Sequence, residues 1–168
     1  NWTDGRDSIE EMGKAARELG LQYIAITDHT RSLAMVGGLD ESRIQEQGRE
    51  IERVDQKLDG IRILRGAEVN ILRDGNLDLS DDALADLDVV GAAVHTNFNM
   101  PQDEMTRRII RAMRNPHVDI LFHPTGRIIN PRPPYAVNMK KIIEAAKDTS
   151  TILEIDAYPE RLDLKDDH

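Results

Sequence analysis

Three histidines and one glutamate occupy matching places in this 168-residue sequence. His29 follows the apolar run Tyr23-Ile24-Ala25-Ile26, Glu68 follows Ile61 to Ala67, His95 follows Val89 to Val94, and His123 follows Val118 to Phe122. Each run has the length and composition of a buried strand, so each delivers its polar residue at the edge of a core. Imidazole and carboxylate both ligate divalent cations. The sequence has no Cys, so a metal here is held by His, Asp and Glu alone, and thiol chemistry and disulfides are excluded. A single His in such a place is a structural residue more often than a ligand. Three of them at equivalent positions, with a Glu at a fourth, predict a metal cluster.

Glu68 suits the bridging role, because one carboxylate can offer an oxygen to each of two cations about 3.5–4 Å apart. Its plainer reading is a salt bridge to an arginine. Asp28 either orients an imidazole or caps the turn that follows it, and Asp4, in the loop before the first helix, either ligates or caps. Arg31, Arg127, Arg132 and Arg161 lie in loops after strands, where each serves either as a bidentate phosphate ligand or as a solvated surface charge. Glu154 and Asp156 share one pleat face of a fifth strand, which makes one of them a candidate additional ligand. His117 precedes a strand and belongs to the opposite rim, and His168 is terminal.

These positions are set by a regular alternation. Asn1 to Arg6 reads as a loop. Asp7 or Ser8 caps a helix with Ile9, Met12, Ala15, Ala16 and Leu19 on its apolar face and Gly20 as its stop. Thr30 to Leu39 is a loop bent at Gly37-Gly38. Asp40 caps a helix to about Leu58, with Ile44, Gln47, Ile51, Val54 and Leu58 at helical spacing. Residues 70 to 80 form a loop or a small hairpin-like excursion, with Asp74-Gly75 as the turn signal. Ser80 caps a short helix to Leu87. Pro101 opens a helix to about Arg114, with Met105, Ile109, Ile110 and Met113 inward. A Pro-rich loop from Pro124 to Pro134 leads to a helix from about Asn138 to Lys147, and Thr151 to Asp156 forms the fifth strand.

Strand and helix in alternation predict an α/β fold with a mainly parallel sheet and right-handed crossovers. An open sheet places its site at one switch point, whereas a barrel gathers all strand ends at one mouth. Four consecutive strands offering ligands favour the barrel, and five strands are too few to close one, so the reading is of a single domain incomplete at both ends. At 39% hydrophobic residues the composition is globular. The net charge of −9 argues against nucleic-acid binding through the overall field, although bound cations reverse the local potential. No apolar run reaches membrane-spanning length and no secretory leader is visible, which reads as a soluble, cytoplasmic protein.

The ordered motifs Thr3-Asp4-Gly5, Ile26-Thr27-Asp28-His29, Gly66-Ala67-Glu68-Val69-Asn70, Val94-His95-Thr96 and Phe122-His123-Pro124-Thr125-Gly126-Arg127 resemble the polymerase and histidinol phosphatase (PHP) superfamily. More narrowly, Thr30-Arg31-Ser32-Leu33, Gly37-Gly38-Leu39, Phe98-Asn99-Met100 and Pro159 to Leu164 resemble the carboxy-terminal PHP domain of bacterial and archaeal family X DNA polymerases. The resemblance implies a distorted (β/α)7 TIM-like barrel holding up to three Mn2+ or Zn2+ ions for phosphoester hydrolysis, here as about five βα units. In the polymerase branch that activity is 3′-5′ exonuclease and DNA 3′-end processing, with a polymerase domain in the same full-length chain. By the motif match Glu68, His95 and His123 hold one ion and carry catalysis through the water it activates. Glu68 bridges to a second ion, and His29 with Asp4 serves a third. The His-x-His of the family's first strand and the Asp-x-His of its last fall outside this chain, so weak or absent turnover is expected of residues 1–168 alone. A histidinol-phosphate-type phosphatase and a non-hydrolytic DNA-positioning module are the alternatives.

Overall fold

The computed structural model describes residues 2–168, and Asn1, part of the predicted opening loop, lies outside the described residues. Among them, α1 (Ile9–Glu18), β1 (Tyr23–Ile26), α2 (Glu41–Lys57), β2 (Arg62–Asn70), α3 (Asp81–Ala85), β3 (Val89–Ala93), α4 (Gln102–Met113), β4 (Ile120–Leu121), α5 (Met139–Thr149) and β5 (Ile152–Leu153) follow one another. Strands pair in chain order, β1-β2-β3-β4-β5. The chain divides into two compact units, residues 1–68 with 79–90 and residues 69–78 with 91–168, so β2 passes from the first to the second between Glu68 and Val69.

In the first unit Ser8 caps α1 in a reciprocal box with Glu11, Asp40 caps α2 through the Arg43 amide, and Ser80 caps α3 through the Ala83 amide. β1 runs parallel to β2 with Tyr23 opposite Arg62 and Ile26 opposite Arg65, and the pairing resumes beyond the strand at His29 and Glu68. The core joins Ile9 and Ala16 of α1 to Ile51, Val54 and Leu58 at the α2 end and to Ile26, Ile61 and Ile63. A Cβ on Gly13 would lie 2.7 Å from Leu58 Cδ1 and 2.8 Å from Ile63 Cδ1. That close approach offsets the cost of about 0.5–1 kcal/mol of a mid-helix glycine. It also narrows the buried face of α1 to Ile9, Gly13 and Ala16, leaving Met12 and Leu19, predicted inward, 47% and 79% exposed.

In the second unit β3, β4 and β5 are parallel, with Gly91 opposite Ile120 and Ile120 opposite Ile152. A Cβ on Gly91 would fall 2.0 Å from the Phe122 ring. The predicted excursion after β2 is a turn, closed by an Ile71–Leu77 bridge and by Gly75 N–H donating to Leu72 O. Arg108 of α4, 2% exposed, donates from Nε to Leu72 O and from Nη1 to Thr96 O, both at 2.8 Å, and from Nη2 to Ile71 O. Desolvation holds its pKa below the usual guanidinium range. Its hydrogen bonds tie α4 to the turn after β2 and to the loop that carries His95.

Candidate metal centre

Within the first unit the end of β1 delivers His29 between two carboxylates. Nε2 lies 3.6 Å from Asp4 Oδ2 and Nδ1 lies 3.5 Å from Glu68 Oε2, with the His29 and Glu68 side chains only 15% and 16% exposed. Glu68 is a strand residue, since β2 continues to Asn70 where the sequence predicts a stop at Ala67. Asp28 accepts from the Thr3 amide at 2.9 Å, from the Thr3 hydroxyl, and from Gln47 Nε2 at 2.6 Å. These bonds fasten the loop bearing Asp4 to the end of β1 and to α2.

Within the second unit the His95 and His123 rings meet edge to face with centroids 5.2 Å apart. The His95 proton is placed by its neighbours. Asn70 donates from its backbone amide to Asp78 Oδ1 at 3.1 Å and from Nδ2 to Asp78 Oδ2 at 2.9 Å. Reversing the Asn70 amide would set oxygen against oxygen, so its Oδ1 faces His95 Nδ1, at 2.7 Å. Oδ1 only accepts, so Nδ1 carries the proton and Nε2 keeps the lone pair that a metal needs. Asn70 and Asp78 are 4% and 2% exposed. Sequence reasoning missed both as site residues. The available signal was Asn70, two residues beyond Glu68 and on the same strand face.

His123 sits at φ 32°, a region that costs an ordinary residue about 1–3 kcal/mol. Glu154 holds its backbone by accepting from the His123 amide at 2.6 Å, and Asp163 accepts from the Thr125 amide and hydroxyl at 2.9–3.2 Å. Glu154, a candidate ligand by sequence, is thus engaged by the loop backbone. Asp156, its partner on the predicted face, lies 3.4 Å from Arg161 Nε.

The predicted phosphate-binding arginines differ in setting. Arg31 is exposed on the loop after β1. Arg127 donates to the Arg161 and Leu162 carbonyls, which spends much of its guanidinium on the loop itself. Arg132 donates from Nε to Gly126 O at 2.8 Å and lies over the Phe98 ring at 4.3 Å. Arg161 has a buried Nη1 with no hydrogen-bond partner. Tyr135 is buried and donates its hydroxyl to Pro124 O at 2.7 Å. That burial raises its pKa far above the ordinary value, which keeps it a donor.

Nitrogen and oxygen donors without thiolate fit a borderline or hard divalent cation, and the His29, Asp4 and Glu68 group in one unit and the fixed Nε2 of His95 in the other both fit metal ligation. Residues 1–157 match the PHP domain family. The chain belongs to the PHP domain family. It is 44% identical over 167 residues to the DNA polymerase/3′-5′ exonuclease PolX of Bacillus subtilis, a match covering 99% of this chain and 29% of that protein. It is 34% identical over 152 residues to a probable phosphatase of Thermoanaerobacter sp. strain X514, covering 88% of this chain and 57% of that one. With a probable phosphatase of Acetivibrio thermocellus the identity is 32% over 154 residues, 90% of this chain and 59% of the relative. The chain thus spans between 29% and 59% of the length of these curated relatives. The α/β architecture with strands paired in chain order is the one the sequence predicts and agrees with membership of the PHP domain family. No helix among the described residues is long and apolar enough to cross a membrane.

Proposed function

We propose that this PHP domain is a metal-dependent phosphoesterase that trims DNA 3′ ends as a 3′-5′ exonuclease, in a longer chain that also carries a polymerase domain. The supporting observation is the Asp78–Asn70–His95 chain, in which Asn70 Oδ1 faces His95 Nδ1 and so, in the neutral ring, leaves Nε2 with the lone pair a ligand needs. His29, Glu68, His95 and His123, with Asp4, are the ligands in this reading, and Mn2+ or Zn2+ suits them. A bound divalent cation supplies Lewis-acid polarisation of the phosphoryl oxygen and a nucleophile at neutral pH. The chain's own part is to hold those ligands in fixed tautomers and rotamers and to orient the phosphate through Arg31, Arg127, Arg132 and Arg161. Among the four, Arg132 is the best prepared, because its stacking on Phe98 and its bond to Gly126 O fix the guanidinium plane.

The 44% identity to the B. subtilis polymerase and exonuclease supports the DNA-directed reading over a small-molecule phosphatase. The test compares release of 3′ nucleotides from a labelled oligonucleotide with hydrolysis of p-nitrophenyl phosphate, by the full chain with Mn2+ and with EDTA. Mn2+-dependent shortening from the 3′ end is expected. Hydrolysis of the small ester alone would favour the phosphatase reading, and turnover that persists in EDTA would overturn both.

A further inference from the structure

We infer that the second unit carries a groove for single-stranded polynucleotide, made of two adjoining depressions that share Arg73, Met100 and Glu104 and present unpaired arginines to successive phosphates. This deepens the phosphoesterase reading and rests on it for the choice of a nucleic-acid strand as the anion. One depression, of about 660 Å3, lies between the Asn97–Pro101 loop and the Arg132–Tyr135 segment. The other, of about 730 Å3, runs along α4 at Arg107 and Arg111.

The charge in this groove opposes that of the chain. Against a net charge of −9 for the whole sequence, the two depressions bring together five arginines and only Asp74 and Glu104 as acids. Arg108 is spent on backbone carbonyls and Arg111 donates to Asn76 Oδ1 at 2.8 Å. Among the described residues Arg73, Arg107 and Arg132 have no carboxylate within ion-pair distance. These three come from three elements, the turn after β2, α4 and the Pro-rich loop, and line two adjoining depressions, so a strand with a phosphate at every nucleotide suits them.

The walls suit bases. Phe98 stacks on Tyr135 with centroids 6.2 Å apart and planes 17° from parallel, and the Arg132 guanidinium lies over Phe98 at 4.3 Å. Burial and repulsion by Arg161 lower the Arg132 pKa. A fixed aromatic and guanidinium platform accepts any base by stacking, and Met100 adds a deformable apolar wall. An acidic peptide would meet the arginines but leave this platform without a planar partner.

The test is fluorescence anisotropy of a labelled oligo(dT) of about ten nucleotides, in EDTA so that binding is read without hydrolysis. It uses the full chain and its Arg73→Glu and Arg107→Glu variants across a range of KCl. Both side chains are exposed, so the fold is retained. Each variant is expected to weaken binding about tenfold and to lower the salt slope by ~0.7 per lost phosphate contact, with p-nitrophenyl phosphate hydrolysis unchanged. Equal sensitivity with oligo(U) supports the groove and assigns recognition to phosphates and bases, whereas sensitivity with oligo(dT) alone supports it and adds discrimination of the sugar. Unchanged affinity and salt slope in both variants would overturn the groove, as would competition by a poly-glutamate peptide equal to that by the oligonucleotide. Absence of Mn2+-dependent 3′ shortening by the unaltered chain, with the binding results intact, would count against the phosphoesterase reading and leave the groove standing.

Discussion

His29 and His95 both follow a parallel strand, yet their surroundings differ in kind. His29 is set between carboxylates, with Asp4 and Glu68 at 3.6 and 3.5 Å, and the loop bringing Asp4 is fastened through Asp28. His95 is set by a neutral amide, Asn70, whose own orientation is fixed by Asp78. In the first unit the surroundings supply negative charge, and in the second they supply proton placement. A cation centre needs both, because carboxylates attract the ion and a fixed tautomer gives it a lone pair. Each histidine thus shows one of these two provisions within its own unit.

The largest effect is expected at Glu68. Glu68→Gln keeps the shape and removes the charge, and should lower Mn2+-dependent phosphoester hydrolysis by the full chain by more than ~100-fold, beyond the range for residues that only orient ligands. Asn70→Ala comes next. It should weaken Mn2+ binding by about 10- to 100-fold and release His95 from its Nδ1–H tautomer, read by 15N chemical shifts of the imidazole in the metal-free protein. The matching change in the first unit, Gln47→Leu, removes a donor to buried Asp28 and should cost about 1–3 kcal/mol in denaturant unfolding without moving the His95 tautomer. If Asn70→Ala lowers stability and leaves the tautomer in place, the contrast between the two imidazoles fails.

Gly91→Ala probes the scaffold under His123. The added methyl meets the Phe122 ring, and a loss of about 1–3 kcal/mol is expected in thermal or denaturant unfolding. The smallest effect concerns Asp88, which the Arg65 guanidinium holds below the usual carboxylate range through a hydrogen bond at 3.2 Å. Because the folded pKa is depressed, the stabilisation is full above the ordinary aspartate value of about 3.9 and is lost as pH falls through the lower folded value. Asp88→Asn should therefore flatten the acid limb of the stability profile below about pH 4, and cost at most ~1 kcal/mol at neutral pH.

Much of this arrangement was legible in the sequence because it is local. Ser8, Asp40 and Ser80 cap helices by side chains that reach three residues ahead, and the Ile44, Gln47, Ile51, Val54 and Leu58 stripe is buried as its spacing predicts. Arg108 was not legible. It sits one turn from Met105 on the inward face of α4, where only the carbonyls of Ile71, Leu72 and Thr96 make a guanidinium acceptable. Asp78 was hidden for a similar reason, since its pairing with Asn70 depends on the turn that brings the two ends of residues 70–78 together. The apolar face of α1 was overestimated because Gly13, which carries no hydropathy signal, sets where the helix packs. The fourth strand shrank to Ile120–Leu121, since the chain turns away after Phe122, whose amide still donates to Ala92 O, and His123 takes a positive φ.

The most direct measurement is a calorimetric titration of the metal-free full chain with Mn2+, repeated for His29→Ala and His95→Ala. The proposed ligand roles of His29 and His95 predict that the unaltered chain binds Mn2+ and that each substitution lowers the affinity at least about tenfold. Absence of Mn2+ binding by the unaltered chain, or an affinity indifferent to either substitution, would contradict the account.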